Sequence, residues 1–473
     1  MGTGATIVVD VGKTLTKLSL WDEAGNQLAR VSRPNQRVKA DGYFALDAHG
    51  IDAWLIHALS QFAESARIAR IIPVSHGAAA AILRDGKLAA PPMDYESEIP
   101  ASVRDAYDKE RDLFKESGSP ALPQGLNLGA QLAYLQHLRP ELLAPGATIL
   151  TWPQYWSWRL CGVASTEVTS LGCHSDLWRP LQQTYSDLVL RLRWHERLAP
   201  VRSAGEILGP ILPEIAEATG LPPDAVVYCG VHDSNAALLA ARSFPQISQK
   251  ESTVLSTGTW FVAMRSPARR SDVSVEDLAE SRDCLVNVDA YGMPIPSSRF
   301  MGGREIELLS GIDTRRIDIV PDQPALVAAV RDVVMSNAHV HPTFTPGVGP
   351  FPENKGAWVR EPTDQYARRA AVCLYAAMVA NESLNLIGAR ERILVEGRFA
   401  EAQVFVRALA SLRPRDQIFT SLAHQDVSFG ALRLIDPTLQ AQRRLERVEP
   451  LEVDIRQYND AWRAEIDSIE AAR

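Results

Sequence analysis

Residues 226–241 read VVYCGVHDSNAALLAA, and residues 252–260 read STVLSTGTW. In the first stretch an apolar run ends at Gly230, the polar pair His232-Asp233 follows, and an Ala/Leu-rich helical run takes over from Asn235. The second is another apolar run, carrying a Ser-Thr-Gly-Thr turn. A strand that leads through a carboxylate into a helix is the signature of an α/β fold. The turn has an echo near the start of the chain. Residues 7–18 and 254–264 both run apolar strand, small turn with Gly flanked by Thr or Lys, then strand, so that Asp10-Val11-Gly12-Lys13-Thr14 parallels Ser256-Thr257-Gly258-Thr259. Two such hairpins predict a duplicated domain with a nucleotide clamped between the copies.

Periodicity extends this reading outward. Residues 15–21 alternate apolar and polar, as a half-exposed strand does, and a third short strand follows Asp22-Glu23-Ala24-Gly25-Asn26. Helical spacing over 51–67 puts Trp54, Leu55, Ala58, Leu59, Phe62 and Ala66 on one face. A strand at 68–74 ends in Ser75-His76-Gly77. Residues 91–125, rich in proline and charge, read as an irregular excursion walling a site. Helices are predicted at 129–138, 155–160, 210–219 and 402–412, the longest at 367–388, and strands at 225–229, 392–395 and 417–421. The predicted organisation is an N-terminal domain over 1–245, a C-terminal domain over 246–440 and a helical tail over 441–473.

Bulk properties narrow the function. The 473 residues are enough for two to four domains of about 150 residues. A net charge of -8 argues against nonspecific nucleic-acid or anionic-membrane binding. Five cysteines without a C-x-x-C read as buried, inert thiols in a reducing cytoplasm. No run approaches the roughly 18 apolar residues of a membrane span, and no signal peptide is visible. Met1-Gly2 with Thr6 matches a myristoylation pattern, read as chance because a strand begins within a few residues.

The hairpin turns carry the first chemistry. Gly12 and Gly258 let backbone approach a phosphate, Thr14, Thr257 and Thr259 add hydroxyls, and Lys13 or Lys17 offers a cation. Gly12-Lys13-Thr14 is no P-loop. That motif needs a glycine where Ile7 stands and a helix where residues 15–21 alternate like a strand. Asp10, directly after a buried strand, is either an ordinary turn cap or a magnesium ligand acting through water. Asp233 before a helix is either an N-cap worth about 1 kcal/mol or a general base, since Ser234 or Asn235 could cap instead. A carboxylate there accepts the proton of a sugar hydroxyl as the bond to phosphorus forms. His232 is the expected sugar contact, with His76-Gly77 behind it and Asp94-Tyr95 and Arg304 further back.

These residues resemble the FGGY carbohydrate kinase family over nearly the whole chain. Asp10–Thr14 resembles its first phosphate motif, Pro153-Gln154-Tyr155-Trp156 through Arg159-Leu160-Cys161-Gly162 and then Glu167-Val168-Thr169-Ser170 its segment ending in R-L-T-G and an acidic/Ser-Thr cluster, Gly230 to Ala237 the catalytic-base segment and Ser256–Thr259 the second phosphate motif. Val395 to Phe399 with Phe429-Gly430-Ala431 resembles the adenosine segment, although Glu396 stands in Glu396-Gly397 where the family has a Gly-Gly pair. The resemblance implies two actin-like (RNase H-like) domains around a central nucleotide/sugar cleft, ATP and Mg2+, and Asp233 as base. It also implies Asp10 and Asp233 at the metal, Gly12, Lys13, Thr14, Lys17, Thr257, Gly258, Thr259, Glu396 and Gly397 at the nucleotide, and His76, Gly77, His232 and Asp233 at the sugar. The His232-Asp233 pair resembles the rhamnulose/fuculose kinase branch and implies a ketose such as L-rhamnulose or L-fuculose. The alternatives are a pentulose or polyol kinase and a non-catalytic nucleotide-binding relative. The expected partner is a small-molecule sugar, with no nucleic acid and no membrane. A homodimer is compatible with the sequence.

Overall fold

The first strand, β1 (Ala5–Val11), is an unbroken apolar run because it is covered on both faces. Ile7 and Val9 point into one core with Leu55, Leu59 and Trp156. Val8, between them, points into the opposite core with Ala236, Leu239 and Phe429. Asp10 shares the Val8 side by the two-residue period of a strand. The computed structural model describes residues 4–248, 250–421, 427–441 and 444–472. Met1-Gly2, on which the myristoylation pattern rests, lies outside the described residues.

The chain divides into two units, Met1–Ser243 with Val286–Pro294 and Gln425–Ala441, and Phe244–Leu285 with Ile295–His424 and Gln442–Arg473. In the first, β1 forms an antiparallel hairpin with β2 (Leu15–Trp21), which pairs in turn with β3 (Gln27–Pro34). On its other side β1 is parallel to β4 (Ile68–Ser75). Beyond come β5 (Ile207–Pro210) and β6 (Val226–Tyr228), in the order β5-β6-β4-β1-β2-β3, while the two-residue β7 (Val231–His232) also pairs with β4. Helix α1 (Ala48–Ser65) and helix α2 (Trp152–Cys161) cover one face, and α3 (Asp233–Ala241) with the helix Val427–Ile435 covers the other.

The second unit repeats the pattern. Strand β8 (Ser252–Thr257) forms an antiparallel hairpin with β9 (Phe261–Ser266). Strands β10 (Cys284–Val288) and β11 (Pro294–Phe300) lie beyond β9. A small separate sheet pairs β12 (His339–His341) with β13 (Ala357–Val359). Strand β14 (Arg392–Gly397) runs parallel to β8, and β15 (Gln417–Thr420) parallel to β14. With β16 (Glu446–Arg447) the order is β10-β11-β9-β8-β14-β15-β16. In each unit a hairpin thus sits beside a strand parallel to its first arm, which is the duplication expected from the two turns. Helices α4 (Gly302–Ser310), α5 (Gln365–Leu386), α6 (Gln403–Leu412) and α7 (Arg456–Ala471) complete the unit. The predicted core face of α5, at Ala370, Leu374, Ala377, Met378 and Leu384, is buried. Tyr458, Trp462 and Ile466 of α7 are buried too, so the C-terminal residues contribute to this unit's core.

Residues 91–125 differ from expectation, because they hold helices Ala101–Glu110 and Phe114–Ser117. Only Val103 and Tyr107 of the longer helix are buried, one turn apart, so its charged remainder hides the apolar period.

Gly430 fixes how closely the helix Val427–Ile435 approaches α3. A Cβ there would lie 1.8 Å from the Ala236 carbonyl oxygen and 3.0 Å from the Ala240 nitrogen. Gly430→Val is therefore expected to destabilise the first unit by about 1–3 kcal/mol, the usual range for overpacking. Denaturant unfolding checks this, and an unchanged midpoint would contradict the packing described.

Candidate active site

Three strand ends of the first unit converge. In the sheet register Asp10 of β1 lies opposite Val74 of β4, and Val74 lies opposite Val231 of β7. One or two residues further on come His76, His232 and Asp233, at the carboxyl ends of parallel strands where open α/β sheets bind ligands. The approach to His232 is held from below. Gly230 takes φ 86° with a Cβ position only 2.4 Å from the Pro73 carbonyl oxygen, so no side chain fits. From α2, Gln154 Nε2 donates to the carbonyls of Cys229 and Gly230 at 3.0 and 3.1 Å, and Ser157 Oγ donates to Cys229 at 2.8 Å. The His232 N–H donates to Thr169 Oγ1 at 3.0 Å, and that hydroxyl donates in turn to the buried Glu167.

Asp233 is the first residue of α3, and the position before it belongs to His232, whose side chain makes no capping bond. Neither Ser234 nor Asn235 is the cap. The Asp233 carboxylate instead pairs with His232, Nε2 to Oδ1 at 3.1 Å, and its side chain is 32% exposed against 6% for His232. Cys173 Sγ lies 3.8 Å from the same His232 nitrogen. Burial opposes charge on all three groups, yet their contacts outweigh it. Hydrogen bonding and charge from His232 bring Asp233 down to about 2, Cys173 and Asp233 hold His232 well above the usual imidazole range, and His174 and His232 bring Cys173 down to about 5. The positive end of α3 favours the same carboxylate.

His76 is 7% exposed, and among the described residues neither ring nitrogen has a hydrogen-bond partner. Burial lowers it to about 4, against the pull of Asp233, so the ring is neutral at pH 7. Tyr95 meets it edge-on at 5.5 Å and Trp152 lies at 6.4 Å. Gly77 keeps this corner open, since a Cβ would lie 3.0 Å from His232 Nε2 and 3.3 Å from Cys173 Sγ.

The first hairpin is arranged differently from the sequence expectation. Lys13 binds the fully buried Asp94, sits over the Tyr95 ring at 4.6 Å and lies 3.5 Å from Glu96. Arg37 Nε reaches the other Asp94 oxygen at 2.9 Å. Lys17 pairs with Asp10 at 3.1 Å. Both lysines expected at phosphate are thus engaged with carboxylates, and Asp94-Tyr95, ranked low from sequence, joins the His76 corner. The Gly12 amide closes its own turn on Leu15 at 3.1 Å, while Asn35 Nδ2 donates to the Gly12 carbonyl at 2.7 Å. Thr14 is exposed.

The remaining predicted residues belong to the second unit. The Gly258 amide closes its turn on Trp260 at 3.0 Å. Thr257 Oγ1 donates to the Glu396 carbonyl at 2.6 Å and accepts from Phe399 N–H at 3.0 Å, tying the turn to Glu396-Gly397. Ser256 and Thr259 are exposed. Burial raises the Glu396 carboxyl to about 7, against a hydrogen bond from Ser256. Arg304 is exposed on α4. Phe429-Gly430-Ala431, which with Val395 to Phe399 resembles the adenosine segment, packs in the first unit, with the Phe429 ring 6.3 Å from that of Trp21.

Asp10 and Asp233 suit a hydrated divalent cation. Burial raises the Asp10 carboxyl, Lys17 lowers it, and the charge of Asp233 raises it again, so the two carboxylates sense each other. Magnesium rests on one or two carboxylates and keeps its water. Sequence reasoning missed Cys173, whose neighbour His232 is 59 positions away, and the support from Glu167, Thr169 and Gln154. Cys173 also departs from the expectation of inert thiols. Burial raises Cys284 to about 11 and Cys373 to about 12, as inert thiols require.

These features, two duplicated α/β units with a carboxylate at a helix mouth, define a class of phosphotransferase fold that the comparisons identify. Residues 249–443 match the family description "Carbohydrate kinase FGGY, C-terminal domain". The solved structure of a carbohydrate kinase from Novosphingobium aromaticivorans is 56% identical, covers 97% of this chain and 100% of its own, and superposes with a TM-score of 0.94. A ligand-bound xylulose kinase from Lactobacillus acidophilus is 16% identical over 99% of this chain and 98% of its own, with a TM-score of 0.79. A glycerol kinase with ADP from Plasmodium falciparum is 12% identical over 99% and 98%, with a TM-score of 0.78. No curated protein sequence matches the chain. The chain belongs to the FGGY carbohydrate kinase family, whose fold is two actin-like, RNase H-like domains, and it is a sugar phosphotransferase. Among the described residues, no helix is long and apolar enough to cross a membrane.

Replacing His232 by Gln removes the charge that holds Asp233 low, so the Asp233 pKa rises. A base works only when deprotonated. The acid limb of the kcat/KM profile is therefore expected to move to higher pH in His232→Gln. A limb that stays in place would contradict the coupling.

Proposed function

We propose that this kinase transfers the γ-phosphoryl group of ATP, with Mg2+, to a hydroxyl of a ketose of the L-rhamnulose or L-fuculose type, with Asp233 as general base. The observation that carries this reading is the Asp233 carboxylate at the mouth of α3, paired to His232 at 3.1 Å and partly open to solvent at the ends of β1, β4 and β7. The acceptor hydroxyl gives its proton to Asp233 as its oxygen bonds to the γ-phosphorus, and ADP departs. His232 keeps the carboxylate ionised and oriented.

Neither His76 ring nitrogen has a partner among the described residues, so the neutral ring has one donor and one acceptor for sugar hydroxyls. Asp94, fixed by Lys13 and Arg37, lies at the same corner. Tyr95, edge-on to His76, gives that corner an apolar wall suited to the C–H face and methyl group of a deoxyketose. The Thr257–Thr259 turn and Glu396-Gly397 supply contacts to the nucleotide. Magnesium, held through water by Asp10 and Asp233, would neutralise charge on the transferring phosphoryl group.

The test is Asp233→Asn assayed with MgATP against L-rhamnulose, L-fuculose, xylulose, ribulose and glycerol. ADP release with the preferred sugar is expected to fall by about 10²–10⁴-fold while ATP binding survives. Retained turnover would remove Asp233 from the role. A wild-type preference for a pentulose or glycerol would replace the deoxyketose reading.

A further inference from the structure

A second cluster lies in the second unit, among residues the phosphotransfer does not use. His339 and His341 are two apart on β12, so both side chains project from one face of the strand. Helix α7 docks beside them through Tyr458 Oη, which donates to the Ala338 carbonyl at 2.7 Å, and Trp462 Nε1, which donates to the Val340 carbonyl at 2.8 Å. These contacts, one helical turn apart, bring Glu465 on the next turn over the strand. Glu465 Oε2 lies 2.9 Å from His339 Nε2 and 2.7 Å from His341 Nε2, and the two nitrogens are 3.3 Å apart. The His339 side chain is fully buried, that of His341 is 14% exposed and that of Glu465 40%.

The hydrogen bonding of His339 decides what this convergence means. Its Nδ1 lies 3.1 Å from the Asn337 carbonyl oxygen, which can only accept, so Nδ1 carries the proton. With Nδ1 as the donor, Nε2 is the ring atom that faces a carboxylate oxygen and a second imidazole nitrogen. Three atoms of metal-ligating type, two imidazole nitrogens and a carboxylate oxygen, converge on one point, where a cation is shared among them. A ring nitrogen donating to a backbone carbonyl while its partner faces a metal is the usual outer support of a histidine ligand. Bonds of about 2.0–2.2 Å at tetrahedral angles separate ligand atoms by roughly 3.3–3.5 Å. The nitrogen pair, 3.3 Å apart, already has that separation, and the Glu465 oxygen, on the open side, must draw back from the two nitrogens by roughly 0.4–0.8 Å.

We propose that His339, His341 and Glu465 form a binding site for one divalent first-row transition-metal ion, Zn2+ foremost, that fastens α7 to β12. Two imidazoles and one carboxylate are a zinc-type donor set with the fourth position left to water. Magnesium, which prefers an all-oxygen shell, does not compete for it.

The test uses the full chain without a polyhistidine tag, freed of metal by a chelator. Zn2+ is titrated calorimetrically and Co2+ by its visible d–d absorption. One ion per chain is expected, undisturbed by millimolar Mg2+, with affinity weakened more than about tenfold in His341→Ala and in Glu465→Gln and the tetrahedral Co2+ spectrum lost. Glu465→Gln, near-isosteric and partly exposed, keeps the test readable should His341→Ala fail to fold. Absence of Zn2+ binding, or equal affinity in wild type and Glu465→Gln, would overturn the site and leave a proton shared among the three groups.

Discussion

The ion pair between His232 and Asp233 is the interaction around which the first unit is arranged. A carboxylate at the start of a helix is held low by a neighbouring imidazole only while that imidazole is held in place. That placement draws on distant parts of the chain. Gln154 and Ser157 fix the carbonyls just before the pair, Thr169 takes the His232 N–H, and Gly230 lets the chain pass against β4. The pair is thus set from three directions before any ligand arrives, which is the preorganisation that transition-state stabilisation requires.

The same site depends on β1 being buried on both faces. Alternation along that strand sends Ile7 and Val9 to one core and Val8 to the other, and it carries Asp10 to the side on which α3 packs. A carboxylate there is desolvated and feels Asp233, with Lys17 as its partial counterion. Each of the two carboxylates thus has its own cationic neighbour, Lys17 for Asp10 and His232 for Asp233.

Much of this was legible in the sequence because it rests on local signals. The unbroken run at Ala5–Val11, the alternation over Leu15–Trp21 and the turn at Ser256-Thr257-Gly258-Thr259 each announce their element within a few residues, and the duplication followed from comparing them. What was misread depends on partners far along the chain. Lys13 reads as a phosphate cation until Asp94, 81 positions away, is found beside it. Cys173 reads as an inert thiol until His232 is brought to 3.8 Å. Sequence shows a residue's charge and size, and the fold decides where they are used.

The central claim is that the sugar hydroxyl meets Asp233. A crystal structure with the preferred ketose and ADP tests it most directly. The account predicts one sugar hydroxyl within about 2.6–3.2 Å of an Asp233 carboxylate oxygen, with His76 touching the sugar. A sugar bound elsewhere, with Asp233 facing only water, would contradict it.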